Sequence, residues 1–181
     1  MSATLRQLLA IMLWLPLGAL ALPDAVRERH APEGGWQQWG SAEMTWYGLA
    51  LYGATLWVGG SQQAGAIGDA TPLALSLQYR RDIPGERIVR ASVDEMRRLG
   101  ASGEALGAWE ADMRRIFPDV RKGDTLTGVF LPGRGARFFL NERDIGEVSD
   151  AEFARRFFAI WLDPRTRSPE VRAALLRPAA S

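Results

Sequence analysis

The sequence of 181 residues contains no cysteine and one histidine, His30. Disulfide bonds are therefore excluded, and we predict no metal site built from His or Cys ligands. No loop has the alternating acidic spacing of a calcium-binding hand, although a site made of carboxylates alone stays open. A Ser-His-Asp arrangement would depend on His30, which lies in a segment predicted to be flexible, so we do not expect one.

An excess of charge of one sign is also missing. The 22 basic and 21 acidic residues give a formal net charge of +1. A protein that binds nucleic acid usually carries a basic face, which this balance does not indicate. Glycine pairs occur, but none is followed by the Lys-Ser/Thr pair or the helix that a phosphate-binding loop needs. We therefore predict no nucleic-acid partner and no cofactor.

One long apolar run is present, from Leu8 to Leu20, and it follows a single basic residue, Arg6. It ends at the small-x-small site Ala19-Leu20-Ala21, which is typical of a secretory signal peptide over residues 1–21. A membrane anchor is the alternative, but the run is shorter than the roughly 20 apolar residues of a spanning helix. We expect cleavage after Ala21, export to the periplasm and no transmembrane segment in the mature chain. No cysteine follows the run, so a lipid-anchored lipoprotein is excluded.

The rest of the chain predicts a flexible lead-in over residues 22–35 and one domain over residues 36–177. Strand patterns cover 36–58, 73–80, 125–131 and 136–140, and the strand at 73–80 is predicted to be buried on one face only. Helical patterns cover 88–99, 102–116, 149–163 and 168–176, with Ser102 and Ser149 as predicted N-caps. Asn141 and Gly146 are predicted to bracket a turn. The order of strands, helices, strands and helices indicates the α+β class, with helices packed against an antiparallel sheet.

Tyr47 and Tyr52 lie among the first predicted strands. A hydroxyl in apolar surroundings can orient a ligand or donate to an oxyanion. Alternatively, each ring fills the core and its hydroxyl bonds to the backbone. The aromatic stripe of Phe153, Phe157, Phe158 and Trp161 has the same two interpretations, as the lining of a ligand cavity or as core.

Arg80 ends the strand predicted at 73–80 and Arg81 follows it, and Arg80 points to the opposite side from Tyr79. An arginine beneath a sheet can hold a carboxylate through two parallel hydrogen bonds. The alternative is a solvated strand end in which Arg81 pairs with Asp82 for little stability. Lys122-Gly123-Asp124 is either a cation near a pocket or a simple turn at the start of a strand.

Several motifs resemble those of one known family. Along the chain they are Tyr52, Leu56-Trp57, Phe117-Pro118-Asp119-Val120, Lys122-Gly123-Asp124, Leu131-Pro132-Gly133, Ile160-Trp161-Leu162-Asp163-Pro164 and Leu175-Leu176. Over roughly residues 36–177, the sequence is similar to the bacterial exported chalcone-isomerase-like proteins. The resemblance implies a curved antiparallel β-sheet with helices packed on one face and a cleft between them.

The resemblance also implies a use for the cleft. Plant members close a flavonoid ring there without a cofactor, and other relatives bind fatty acids through an Arg and a Tyr on the carboxylate. Tyr52 matches the family at this cleft, but the sequence has Glu43 and no Arg between residues 36 and 58. Ile88 stands about where the plant enzymes have a catalytic Tyr. We therefore expect no chalcone cyclisation.

These observations predict a non-catalytic binder of a small apolar or fatty-acid-like ligand. The candidate ligand-binding residues are Tyr47, Tyr52, Arg80 and Arg81. Two alternatives stay open: a cofactor-independent isomerase or intramolecular lyase of unknown substrate, and a structural partner of another envelope protein.

Overall fold

The structure is a computed structural model that describes residues 21–46, 48–60, 67–68 and 70–178. The described residues form one antiparallel sheet in which each strand pairs with the next along the chain. Its strands are β1 Trp36–Trp46, β2 Leu49–Gly59, β3 Leu73–Tyr79, β4 Thr125–Leu131, β5 Gly135–Leu140 and β6 Arg143–Val148. The predicted α+β class is confirmed.

The described helices are α1 Asp24–Arg29, α2 Gly85–Arg98, α3 Gly103–Ile116, α4 Ala151–Leu162 and α5 Pro169–Leu175. Helices α2 to α4 share a core with one face of the sheet, and α5 packs against β1. The contact with α5 is close because Gly40 has no side chain: a Cβ at Gly40 would lie 2.4 Å from the carbonyl oxygen of Ala174. None of the helices in the described ranges is long and apolar enough to cross a membrane.

The strands alternate between two faces, which we call inner and outer. The inner face includes Tyr52, Leu77, Leu126 and Phe138, and it packs against the helices. The outer face carries a row formed by Thr55, Ser76, Thr127 and Phe139 on β2 to β5. Because side chains alternate along a strand, neighbouring residues of one strand lie on opposite faces of the sheet.

Residues 22–35 were expected to form a flexible lead-in, but residues 24–29 form the helix α1. Leu22 and Val26 are fully buried and pack on the outer face against a cluster that includes Trp57 and Phe139. Their spacing of four residues places both on one side of the helix. This cover also explains why β3 is buried on both faces, whereas the alternation of its sequence predicted one.

Strand β6 replaces the turn predicted between Asn141 and Gly146. The turn itself is shorter: Asn141 has a φ of 54°, and β6 starts at Arg143. A β-bulge between Phe138 and Phe139 shifts the register of β5 against β6, which interrupts the regular alternation.

The N-caps of the helices decide where α3 and α4 begin. Ser102 caps α3 as predicted, since its hydroxyl accepts from the backbone N–H of Ala105. For α4 the predicted cap, Ser149, is wrong. Asp150 takes this position, and its carboxylate accepts from the N–H groups of Glu152 and Phe153. Asp150 also accepts a hydrogen bond from the indole of Trp109 at 2.9 Å, which ties α3 to the start of α4.

Candidate functional site

A cavity of about 770 Å³ lies between the inner face of β2 and β3 and the helices α2 and α4. Apolar side chains form much of its wall, among them Leu77, Leu126, Phe157 and Ile160. These residues face inward because strand alternation and helical spacing both direct them toward the core. The same packing that builds the core therefore leaves an apolar space at one end of it.

Tyr52 lies on the wall of this cavity and is held there by Trp161. The indole Nε1 of Trp161 donates a hydrogen bond of 3.0 Å to the Tyr52 hydroxyl oxygen. Trp161 is only 9% exposed, so it belongs to the core and also lines the cavity. The two interpretations of the aromatic stripe therefore both hold for this residue. Because the Tyr52 oxygen accepts from Trp161, its own proton stays available to a ligand.

Tyr79 pairs with Tyr52 across β2 and β3 and lines the same cavity. The two rings meet edge to face, with centroids 5.8 Å apart. Tyr79 is 3% exposed, and within the described part of the chain no group forms a hydrogen bond with its hydroxyl. Burial raises the pKa of Tyr79 far above its ordinary range, and the neighbouring Tyr52 raises it further. Burial also raises the pKa of Tyr52, partly offset by the bond from Trp161. Both phenols are therefore neutral donors at physiological pH.

Arginines stand at the mouth of the cavity, at the end of β3 and on the first turns of α2. Arg81, Arg87 and Arg90 line it and are exposed. Arg90 forms an ion pair of 3.0 Å with Glu86, one turn earlier in α2. Among the described residues, neither Arg81 nor Arg87 has an acidic partner. Two guanidinium groups thus remain available beside the opening.

The acidic side chains of the mouth are already engaged. Asp82 accepts a hydrogen bond of 2.8 Å from the backbone N–H of Lys122. Asp94 pairs with Arg97 at 2.9 Å on the exposed side of α2. A backbone N–H does not neutralise a carboxylate, so Asp82 offsets one of the two arginines that have no acidic partner among the described residues. The remaining excess of positive charge at the mouth favours an anionic group.

The structure brings together two of the four predicted site residues. Tyr52 and Arg81 line the cavity, as do the unpredicted Tyr79 and Arg87. Tyr47 lies outside the described residues. Arg80 does not line the cavity, because it points to the outer face at the next position of the strand.

On the outer face, Arg80 crosses over Gly53 to reach Glu43. Its guanidinium donates to both carboxylate oxygens of Glu43, at 3.0 and 3.2 Å, and to the side chain of Gln78 at 2.7 Å. Gly53 makes this path possible, since a Cβ there would lie 2.9 Å from the Arg80 Nη2 atom. Arg80 therefore links β1 to the end of β3 and is not part of the cavity.

Of the two missed residues, Tyr79 carried a signal in the sequence. It shares the alternation of Leu77, so the pattern that turned Arg80 away from the core placed Tyr79 toward it, as it did the predicted Arg81. Arg87 has no comparable signal, because its place at the mouth depends on how α2 crosses the end of β3. Within the described ranges, no group of acidic or histidine side chains is arranged to hold a metal ion.

The profile of chalcone isomerase-like proteins matches residues 41–177, about three quarters of the sequence. The chain belongs to the chalcone isomerase-like family. Among solved structures, it is similar to the fatty-acid binding protein of Arabidopsis thaliana, with a TM-score of 0.54 and 12% sequence identity. The match covers 80% of this chain and 85% of the Arabidopsis protein. At that identity the likeness establishes the chalcone isomerase-like fold and leaves the ligand open. No curated protein sequence matches the chain significantly.

Proposed function

We propose that this member of the chalcone isomerase-like family is a non-catalytic binding protein for a small lipid-like ligand such as a fatty acid. One observation carries the proposal: a cavity of about 770 Å³ has an apolar wall and two arginines without acidic partners, among the described residues, at its mouth. Ligand pockets are usually mostly apolar, roughly 300–1,000 Å³ in volume, with a few placed polar groups. An acyl chain with one acidic end matches both parts of the cavity.

The positions of the arginines predict how such a ligand is oriented in the cavity. Arg81 and Arg87 lie at the exposed mouth, and a guanidinium group binds a carboxylate through two parallel hydrogen bonds. The tail then lies against Leu77, Leu126 and Phe157, where it is removed from water. The name of the Arabidopsis protein of this fold, a fatty-acid binding protein, supports the same class of ligand here.

A cofactor-independent isomerase is the alternative that the family suggests. Stabilising an oxyanion requires donors aimed at the reacting oxygen, and a fixed cation strengthens them. The arginines that line the cavity are exposed at its mouth, and Ile88 contributes an apolar side chain to the wall. The buried donors are the neutral phenols. This arrangement favours binding over catalysis.

Export to the periplasm, with removal of residues 1–21, is part of the proposal. It is supported by Arg6, the apolar run from Leu8 to Leu20 and the site Ala19-Leu20-Ala21. After expression of the full chain, amino-terminal sequencing of the periplasmic fraction should start at Leu22. Recovery of a membrane-bound product that starts at Met1 would contradict it.

The binding proposal is tested with protein purified after expression of the full chain. Native mass spectrometry should show a bound mass in the range of a fatty acid, and a fluorescent fatty acid should be displaced by unlabelled palmitate. Replacing both Arg81 and Arg87 by Ala should weaken palmitate about tenfold, or about 1.4 kcal/mol. Arg80→Ala is the matched control: it removes the same charge next in sequence but on the outer face, so affinity should be unchanged. The proposal fails if neither a bound mass nor displacement is seen.

A further inference from the structure

The interior of the cavity holds two hydroxyl protons without an acceptor among the described residues. The Tyr52 oxygen receives the Trp161 indole at 3.0 Å, which occupies the oxygen as an acceptor and leaves its proton unused. Tyr79 is 3% exposed and has no hydrogen-bond partner in the described ranges. A third hydroxyl on the wall differs: Ser92 donates to the backbone carbonyl of Ile88 at 2.8 Å.

Both tyrosines line the cavity, so a molecule inside it can reach these two protons. These two are also held in place, Tyr52 by the indole of Trp161 and Tyr79 by its edge-to-face contact with Tyr52. Two fixed, neighbouring donors that border one empty space are matched by an acceptor oxygen of a ligand in that space.

The polarity of the cavity wall determines whether the ligand oxygen at the phenols is charged or uncharged. Leu77 and Phe157 give the cavity apolar walls, and its arginines are exposed at its mouth. A carboxylate placed at the phenols would be buried without a counter-charge, which is costly. A carbonyl or hydroxyl oxygen carries no such cost and accepts the same hydrogen bonds.

Resting on the proposed function, we infer that the preferred ligand is an oxygenated acyl chain, with its acidic end at Arg81 and Arg87 and an uncharged carbonyl or hydroxyl oxygen bonded to Tyr52 and Tyr79. The cavity then binds two different groups of the ligand. The arginines recognise the charged end, and the phenols recognise an oxygen at one position along the chain.

The test compares palmitate with a series of oxo-palmitates that carry one ketone at successive chain positions. We expect one position to bind about tenfold more tightly than palmitate. Tyr79→Phe and Tyr52→Phe, which keep the rings, should each remove most of this preference, measured in each variant as the ratio of its oxo-palmitate affinity to its palmitate affinity. Ser92→Ala is the control, because its hydroxyl is already paired, and it should keep the preference.

The outcomes separate the two proposals. If palmitate binds as tightly as every oxo-palmitate, the inference is overturned while the binding function stands. If Tyr79→Phe weakens palmitate itself and the Arg81 and Arg87 variants do not, the acidic end lies at the phenols and the inference is also overturned. If no member of the series binds, the binding function fails and the inference falls with it.

Discussion

Ser76 and Tyr79 belong to the same strand, but their hydroxyl groups meet different surroundings. Ser76 lies on the outer face and is fully buried, and its hydroxyl is 3.0 Å from that of Thr127 on β4. Tyr79 lies on the inner face, and its hydroxyl has no partner among the described residues. A paired hydroxyl on the outer face holds two strands together, whereas an unpaired one on the inner face borders a cavity.

The arginines repeat this contrast one residue apart. On the outer face, the guanidinium group of Arg80 donates hydrogen bonds to Glu43 and Gln78. Arg81 on the inner face lines the mouth of the cavity without an acidic partner among the described residues. Polar groups paired within the protein stabilise the fold, and polar groups left unpaired at a cavity are available to a ligand.

The largest effects are expected from truncating an aromatic residue on either face. Phe139 on the outer face is fully buried beneath α1, so Phe139→Ala should lower the free energy of unfolding by about 3–5 kcal/mol. Trp161→Ala should cost about 3 kcal/mol, at the lower end of this range, because one side of the indole already borders the cavity. Urea denaturation of both variants measures the difference. A loss below about 1 kcal/mol for Trp161→Ala would mean that it contributes little to the core.

The paired and unpaired hydroxyls should differ in a smaller but sharper way. Ser76→Ala leaves the buried Thr127 hydroxyl without its partner, which should cost about 1–3 kcal/mol. Tyr79→Phe removes a hydroxyl that has no partner among the described residues, so the free energy of unfolding should change by less than about 0.5 kcal/mol. Chemical denaturation of the ligand-free protein decides between them. Equal losses in both variants would show that the Tyr79 hydroxyl is bonded within the protein.

The sequence predicted the contrast between Arg80 and Arg81 only in part. Strand alternation correctly separated Arg80 from Tyr79, since that period depends on the backbone alone. It did not reveal that Gly53 on β2 opens a path from Arg80 to Glu43, because this contact joins residues 37 positions apart. Local periodicity therefore predicted which face Arg80 occupies, but not the residue with which it pairs.

The fold shows the same limit. The bounds of β4 match the predicted strand because its pattern is regular and a short turn joins it to its partner β5, although its other partner, β3, lies far earlier in the sequence. Strand β6 was missed, since it is an edge strand with mixed charges, and a bulge in its pairing with β5 interrupts the alternation. Helix α1 was missed because six residues carry little helical signal, and its stability comes from burying Leu22 and Val26 on a distant sheet.

The ion pair on the outer face should contribute modestly to stability. Arg80→Ala removes both hydrogen bonds to Glu43, but the two side chains are partly exposed, so we expect a loss of about 0.2–1 kcal/mol. The loss should shrink in high salt, because salt screens exposed charges. Arg81→Ala should leave stability unchanged, since no ion pair of Arg81 is found in the described residues. Thermal unfolding at low and high salt tests both variants, and a larger loss for Arg81→Ala would contradict the assignment of Arg81 to the ligand.

The smallest effect concerns the outer face itself, where His30 follows α1. The rings of His30 and Phe139 meet edge to face, with their centroids 6.0 Å apart. Its Nε2 atom is buried without a hydrogen-bond partner among the described residues. Burial lowers the pKa of His30, and Arg137 and Arg134 lower it further, while Asp144 and Glu147 oppose them. The folded state therefore binds fewer protons than the unfolded state once the pH falls below about 6.5, the ordinary pKa of histidine.

Stability should consequently be constant above that pH and decline as the pH falls toward the pKa of His30 in the folded protein. His30 is the one histidine of the chain, and ordinary carboxylates titrate mostly below about pH 5. The melting temperature of the wild type should therefore drop between pH 7.5 and 5.5 by more than that of His30→Gln, which cannot titrate. Equal drops in the two proteins would show that protonation of His30 does not oppose the packing of α1 on the outer face.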